Sequence, residues 1–357
     1  MRVCIDARGM LGRPTGAGKA LGYLLRQLRA DFPCHEYITC DPPGAASWRL
    51  PRQLLWEQVE LPLRARRLGA DILHVPGGTP GPFVSPVKVV MTVHDLAPTR
   101  HPEWLPHPRS RWYWGRLVPR AARRAHAVVV PSAATKRDVV ALAAVPQARV
   151  HVIPWGVPLD VDGVPGGAAP LDVRTTYGLP ERYVLYVGTI DRRKDYRTLL
   201  EAMRHLAPRI HLAVAGSLIA GRTDFVDTVE RLGLGRRVKV LGYVPERDLL
   251  ALYRGAAVFV YPSFYEGFGF PVLEAMACGT PVITYATTSL PEVAGDAARL
   301  LACPVSAETL ASEISRVLDD ATLRRELIER GLARARGFDW SITARLTADV
   351  YEALAGR

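Results

Sequence analysis

Two carboxylates eight positions apart, Glu266 and Glu274, flank a glycine-bearing turn. Before them, Val258–Tyr261 is a β-branched and aromatic run, the pattern of a buried strand. Pro262 and Ser263 stop it, and a loop with Gly267 and Gly269 follows, carrying Phe268 and Phe270. Pro271 suits the first position of a helix, where its missing N–H would be free anyway. Val272, Leu273, Ala275 and Met276 continue that helix, Gly279 ends it, and Glu274 is expected in its first turn. Strand, glycine loop and helix N-terminus make an anion site, because free N–H groups and the helix dipole point at the loop. Acids beside such a site suit a ligand with both phosphate and hydroxyls, the acids accepting from the hydroxyls. The plain alternative is a helix N-terminus with incidental acids.

In this setting Glu266 and Glu274 resemble the E-x7-E motif of retaining glycosyltransferases of the GT-B fold, family 4 type. The continuations Glu274-Ala-Met-Ala-Cys-Gly-Thr-Pro281 and Leu290-Pro-Glu-Val-Ala-Gly295 are similar to that family's wording. The resemblance implies an enzyme that moves a hexose from a nucleotide diphosphate sugar to an acceptor hydroxyl with retained configuration. It favours GDP-mannose and leaves a UDP-sugar open. Glu274 would hold the ribose diol and Glu266 the sugar hydroxyls, with Gly267, Phe268, Gly269 and Phe270 against the donor. In the loop Gly188-Thr-Ile-Asp-Arg-Arg-Lys194, Arg193 and Lys194 resemble the family's phosphate-binding pair. Arginine can fork onto phosphate oxygens and lysine acts as a point charge. Backbone groups near Val244 would read the base. Gly16 and Gly18 of Thr15-Gly-Ala-Gly18 would lie against the diphosphate, and His94 near the reacting sugar. No residue reads as a covalent nucleophile, so the resemblance implies front-face displacement without cofactor or metal.

The elements that must position these residues alternate along the chain. Residues 2–6 form a first strand, and a glycine-crowded loop leads to a helix from about Lys19 to Arg29. Gly12 to Lys19 misses a P-loop: the first glycine comes one position early, and Ala20 replaces the magnesium-holding hydroxyl. Strands follow at 72–75, 87–93 and 127–130, and His94-Asp95 stands where the second of these ends. After a strand at 150–153, the Pro/Gly-rich run Pro154 to Pro170 reads as an interdomain linker. Asp160-Val-Asp162 inside it mimics a metal-binding DxD by chance. Strands at 183–188, 210–216, 238–242 and 258–261 then alternate with helices. Such alternation argues α/β with doubly wound parallel sheets, whose ligands lie beyond the carboxyl ends of the strands. The expected division is residues 1–165, acceptor-binding; 171–337, nucleotide-sugar-binding; and 338–357, a C-terminal helix opened by Phe338-Asp-Trp340. By the resemblance, this helix packs back on the first domain.

Composition narrows the classes. The length of 357 residues suits two domains, and no apolar run is long enough to span a membrane. The first strand starts at once, which reads as leaving no room for a signal peptide. Five cysteines without metal-ligand spacing read as reduced thiols, and the location is expected to be cytoplasmic. The net charge of +11 suits phosphorylated substrates or anionic lipid, while the motifs of nucleic-acid modules are missing. Between Trp104 and Arg124, Trp112, Tyr113 and Trp114 stand among Arg109, Arg111, Arg116, Arg120, Arg123 and Arg124. These suit an anionic membrane face, with peripheral attachment to the inner membrane, or an anionic acceptor such as a lipid-linked glycan. They equally suit a helix with an aromatic core face and a solvated basic face. A sugar phosphorylase, a nucleotide-sugar epimerase and a non-catalytic binding subunit are the alternative functions. A phosphorylase would need a pyridoxal-binding lysine motif, which is missing, and a binding subunit would have a damaged site, whereas this one looks whole.

Overall fold

A computed structural model of the chain describes residues 1–11, 16–42, 50–105, 107–157, 172–216 and 222–356. The chain divides into two compact units, Met1–Pro158 with Phe338–Arg357, and Leu159–Gly337. The first unit holds strands β1 (Arg2–Asp6), β2 (Glu36–Cys40), β3 (Ile72–Val75), β4 (Lys88–Thr92), β5 (Ala127–Val130) and β6 (Val150–Val152). They form one sheet in the order β2-β1-β3-β4-β5-β6, with every pairing parallel. The second unit holds β7 (Tyr183–Val187), β8 (His211–Ala215), β9 (Val238–Gly242), β10 (Val258–Tyr261), β11 (Val282–Tyr285) and β12 (Arg299–Leu301). Their order is β12-β11-β10-β7-β8-β9, again all parallel.

Both sheets are covered on two faces, so their central strands are buried along their whole length and carry continuous apolar runs. On the first sheet, one face packs Met91, Val93 and Val128 against Val118, Ala122 and Val139. Another cluster joins Cys4, Leu73 and Val75 to Trp56, Leu61 and Ala65. The order of strands reverses between β1 and β3 in the first sheet and between β7 and β10 in the second. Crossovers leave on opposite sides there, which opens a crevice at the carboxyl ends.

The C-terminal helix Trp340–Ala355 belongs to the first unit and packs on the helix Gly16–Asp31. Asp339 caps it by accepting from Ser341 N at 2.8 Å. The Trp340 indole donates to Val157 O at 2.8 Å and stacks on Tyr23 at 5.5 Å. A Cβ at Gly156 would lie 2.6 Å from that indole, so only glycine admits the contact.

Two sequence expectations need correction. The first long helix begins at Gly16 and not near Lys19, which puts Gly16 and Gly18 in its first turn. Strands β2, β11 and β12 have no counterpart among the expected elements. β2 and β12 are edge strands with exposed or half-buried positions, so their pattern is weak, whereas β11 is a buried strand like β10 that sequence reasoning passed over. The Pro154–Pro170 linker lies outside the described residues from position 158 on. So do Asp160 and Asp162 and the loop residues Gly12 and Thr15.

Candidate active site

The crevice between β7 and β10 gathers the charges of the second unit. From the end of β7 the chain makes a single 3-10 turn, Arg192–Lys194, capped by Asp191, whose carboxylate accepts from Arg193 N at 2.9 Å. From the end of β10 comes the loop with Glu266. Arg193 Nη1 lies 3.0 Å from Glu266 Oε2 and donates to Tyr265 O at 2.6 Å. Lys194 Nζ lies 3.6 Å from Glu266 Oε1. The Tyr261 hydroxyl stands between them, accepting from Lys194 and donating to Glu266 Oε1 at 2.9 Å. Ser263 Oγ gives the same oxygen a further bond at 2.7 Å.

Burial works against the Glu266 charge, but Arg193, Lys194 and the Ser263 and Tyr261 hydroxyls outweigh it and hold its carboxyl at about 2. Lys194 is buried, and burial lowers its ammonium below the ordinary lysine value despite the opposing pull of Glu266. The result is an ionised carboxylate held between two cations at the mouth of the sheet.

The loop after β10 is fixed from behind. Ser289 Oγ donates to Glu266 O and Phe268 O, both at 2.8 Å, and Thr287 Oγ1 donates to Ser263 O at 2.7 Å. Glu266 N donates to Thr288 Oγ1 at 2.9 Å. Gly269 has φ +111°, where a side chain would be strained and would meet Leu290 at 2.8 Å. Gly267, Phe268 and Gly269 are buried, and Phe270 packs edge-on against Phe268.

Helix Phe270–Ala277 starts one residue earlier than expected, at Phe270. Glu274 therefore falls in its second turn, a correction to its expected first-turn place. It is buried there, and Oε2 accepts from the Tyr253 hydroxyl at 2.7 Å. Val244 follows β9 and is buried at the carboxyl end of the same sheet.

The first unit holds the remaining predicted residues. His94 follows β4, and its Nε2 lies 2.7 Å from Pro76 O. A carbonyl only accepts, so Nε2 carries the proton and Nδ1 keeps its lone pair. Burial lowers the His94 pKa, which favours the neutral ring. The Gly16 and Gly18 amides belong to the first turn of their helix, whose first N–H groups lack intrahelical partners.

After a 3-10 turn ending at Trp104, residues 108–124 make one unbroken helical run, in which the π-helical turn Tyr113–Leu117 lies between the α-helical stretches Pro108–Trp112 and Val118–Arg124. Tyr113 turns into the core and Trp114 packs on it, whereas Trp112 is exposed together with Arg109, Arg111, Arg116, Arg120, Arg123 and Arg124. Both expected faces are present, one aromatic and packed, one basic and solvated.

Sequence reasoning passed over Tyr261 and Tyr253, which hold the two glutamates. Tyr261 ends a buried strand beside the glycine loop, and a hydroxyl-bearing ring at that place is the one available signal. Tyr253 lies in another helix, and nothing local marks it.

Two family descriptions match the chain: "Glycosyltransferase Family 4" over residues 23–161 and "Glycosyl transferases group 1" over residues 175–334. The O-antigen chain mannosyltransferase B of Escherichia coli is 36% identical over 273 residues, 75% of this chain and 71% of that protein. The chain belongs to the family 4 group of glycosyltransferases. The glycosyltransferase has the GT-B type of α/β fold. It is similar to a sucrose-phosphate synthase from Thermosynechococcus elongatus, with a TM-score of 0.78, 24% identity and 99% of each chain covered. It is also similar to HepE from Anabaena solved with UDP-glucose, with a TM-score of 0.77, 20% identity and 99% of each chain covered.

The pKa of Glu266 gives a stability prediction for the glycosyltransferase. A carboxylate depressed on folding stabilises above its unfolded value and loses that contribution as pH falls through its folded value, here about 2. Glu266→Gln should therefore lower the melting temperature at pH 7. The gap to the parent chain should narrow steadily below the ordinary glutamate range, as melts between pH 7 and pH 2 would record.

Proposed function

We propose that the chain transfers a hexose from a nucleotide diphosphate sugar to a hydroxyl of a glycan acceptor, with the anomeric configuration retained. The observation that carries this reading is the Arg193–Lys194–Glu266 cluster at the strand-order reversal, beside a glycine loop entering a helix. As the glycosidic bond breaks, negative charge grows on the departing diphosphate. Two cations already in place meet that charge without reorganisation, the arrangement that favours a transition state over a ground state. Glu266, kept ionised, accepts from sugar hydroxyls. Glu274, aimed by the Tyr253 hydroxyl, accepts from the ribose diol, and the loop Gly267–Phe270 lines the donor. His94, with Nδ1 free of its proton, accepts from a sugar hydroxyl. Retention rests on the family resemblance.

GDP-mannose is the favoured donor, because the E. coli relative is named for mannosyl transfer on O-antigen chains. A uridine donor is the second reading, since HepE was solved with UDP-glucose. The proposed setting is the cytoplasmic face of the inner membrane, with peripheral attachment to anionic lipid through the basic helix Val118–Arg124 and an acceptor that is lipid-linked. Among the described residues no helix is long and apolar enough to cross a membrane.

Transfer assays with GDP-mannose and with UDP-glucose, scored for the product anomer, test the reaction directly. Glu274→Ala should weaken nucleotide binding at least about tenfold, since a charge-assisted hydrogen bond contributes about 1.5–3 kcal/mol; calorimetry reads the change. For Lys194→Ala, the single-turnover rate should fall by about 10²-fold, while the donor Kd moves less. Transfer in excess EDTA is expected at the full rate, because Arg193 and Lys194 supply the positive charge. Arg120→Gln, Arg123→Gln and Arg124→Gln together should abolish flotation with phosphatidylglycerol vesicles at low salt, each arginine contributing about 1 kcal/mol to that attraction.

A further inference from the structure

A groove of about 600 Å³ in the first unit lies between the residues just after β4 and the turns that lead into the basic helix. Pro98 and Pro102 stand on one side, and Arg111, Trp112, Gly115 and Arg116 on the other. Its walls are stiff. The prolines fix their backbone, and a Cβ on Gly115 would lie 2.9 Å from Pro98 O, so glycine is what lets the two sides close. The π-helical turn Tyr113–Leu117 begins directly after Trp112, and such turns occur often at functional sites. Tyr113 faces inward and donates its hydroxyl to buried Glu57. That anchors the turn, while the neighbouring Trp112, which lines the groove, is 46% exposed. Arg111 Nε donates to Leu105 O at 2.7 Å, which holds its guanidinium in place with the terminal nitrogens still to use. Among the described residues, the Arg116 side chain makes no hydrogen bond or ion pair.

We propose that this groove binds the phosphate-bearing sugar of the acceptor, with the ring against Trp112 and the phosphate oxygens forked by Arg111 and Arg116. This rests on the glycosyl-transfer reading given above. The C–H face of a sugar ring is apolar and packs on an indole, and guanidinium matches phosphate geometry with paired N–H groups. The volume falls within the range of about 300–1,000 Å³ typical of small-ligand sites. A concave, proline-walled pocket fits one discrete headgroup. A lipid surface would instead be met by the exposed Arg120, Arg123 and Arg124, further along the same helical run and outside the groove lining.

The test is calorimetric titration of the full chain in excess GDP and UDP, which occupy the nucleotide site. The probes are mannose 1-phosphate, methyl α-mannoside and inorganic phosphate. Mannose 1-phosphate should bind at least tenfold tighter than either fragment. Trp112→Ala, and Arg111→Gln with Arg116→Gln, should each weaken it tenfold or more, while nucleotide affinity and flotation with phosphatidylglycerol vesicles stay unchanged. No binding of mannose 1-phosphate by the parent chain, or equal binding by the variants, overturns the proposal. Loss of vesicle flotation in the groove variants also overturns it and makes the groove a lipid contact. Failure of the transfer reading would appear elsewhere, as a parent chain that binds neither nucleotide sugar.

Discussion

The second unit is arranged around one buried ion cluster. Lys194 and Glu266 are each close to fully covered, and Arg193 completes the balance. Removing one partner of such a buried pair typically costs about 3–5 kcal/mol, because the remaining charge is left without water or counter-charge. The two sides come from loops after different strands, β7 and β10, and meet because the strand order reverses between them. The Tyr261 hydroxyl joins them, bonded to both at once.

That cluster demands close backbone approach around it. Gly188, directly after β7, has φ +145°, and a Cβ there would lie 3.0 Å from Lys194 Nζ. Gly216, directly after β8, has φ +149°, and a Cβ would lie 2.0 Å from Gly188 O. The glycines thus keep the carboxyl end of the sheet low enough for the lysine to lie down beside Glu266. On the other side, Ser289, Thr287 and Thr288 hold the glutamate loop through its backbone. A site fixed in this way before ligand arrives needs little reorganisation when charge develops.

The first unit shows a related economy around its own strand-order reversal. Arg8 after β1 is forked onto Asp6 and reaches Glu57, which in turn accepts from Tyr113. Burial raises the Glu57 pKa, and Arg8, Tyr113 and Gln53 oppose that rise. The chain of contacts links the start of the glycine loop to the π-helical turn beside Trp112. The solvent-facing groove and the interior of the sheet therefore share one polar scaffold.

The sequence by itself determined the α/β class, the alternation of elements and the strand–loop–helix around Glu266 and Glu274. Each depends on local pattern: apolar strand runs, glycines and prolines at set spacings, and carboxylates eight positions apart. Arg193 and Lys194 were picked out by the resemblance of their loop to the family's phosphate-binding pair. Tertiary structure alone decided what those residues touch. It paired Lys194 with Glu266, supplied the Tyr261 and Tyr253 hydroxyls, and moved Glu274 to the second helical turn. It also split residues 104–124 into a packed aromatic side and an exposed basic side, and added the short strands β2, β11 and β12. Local propensity fixes a backbone segment through its nearest neighbours along the chain. A side-chain charge, by contrast, is set by groups far away in sequence, which only the folded sheet brings within hydrogen-bonding distance.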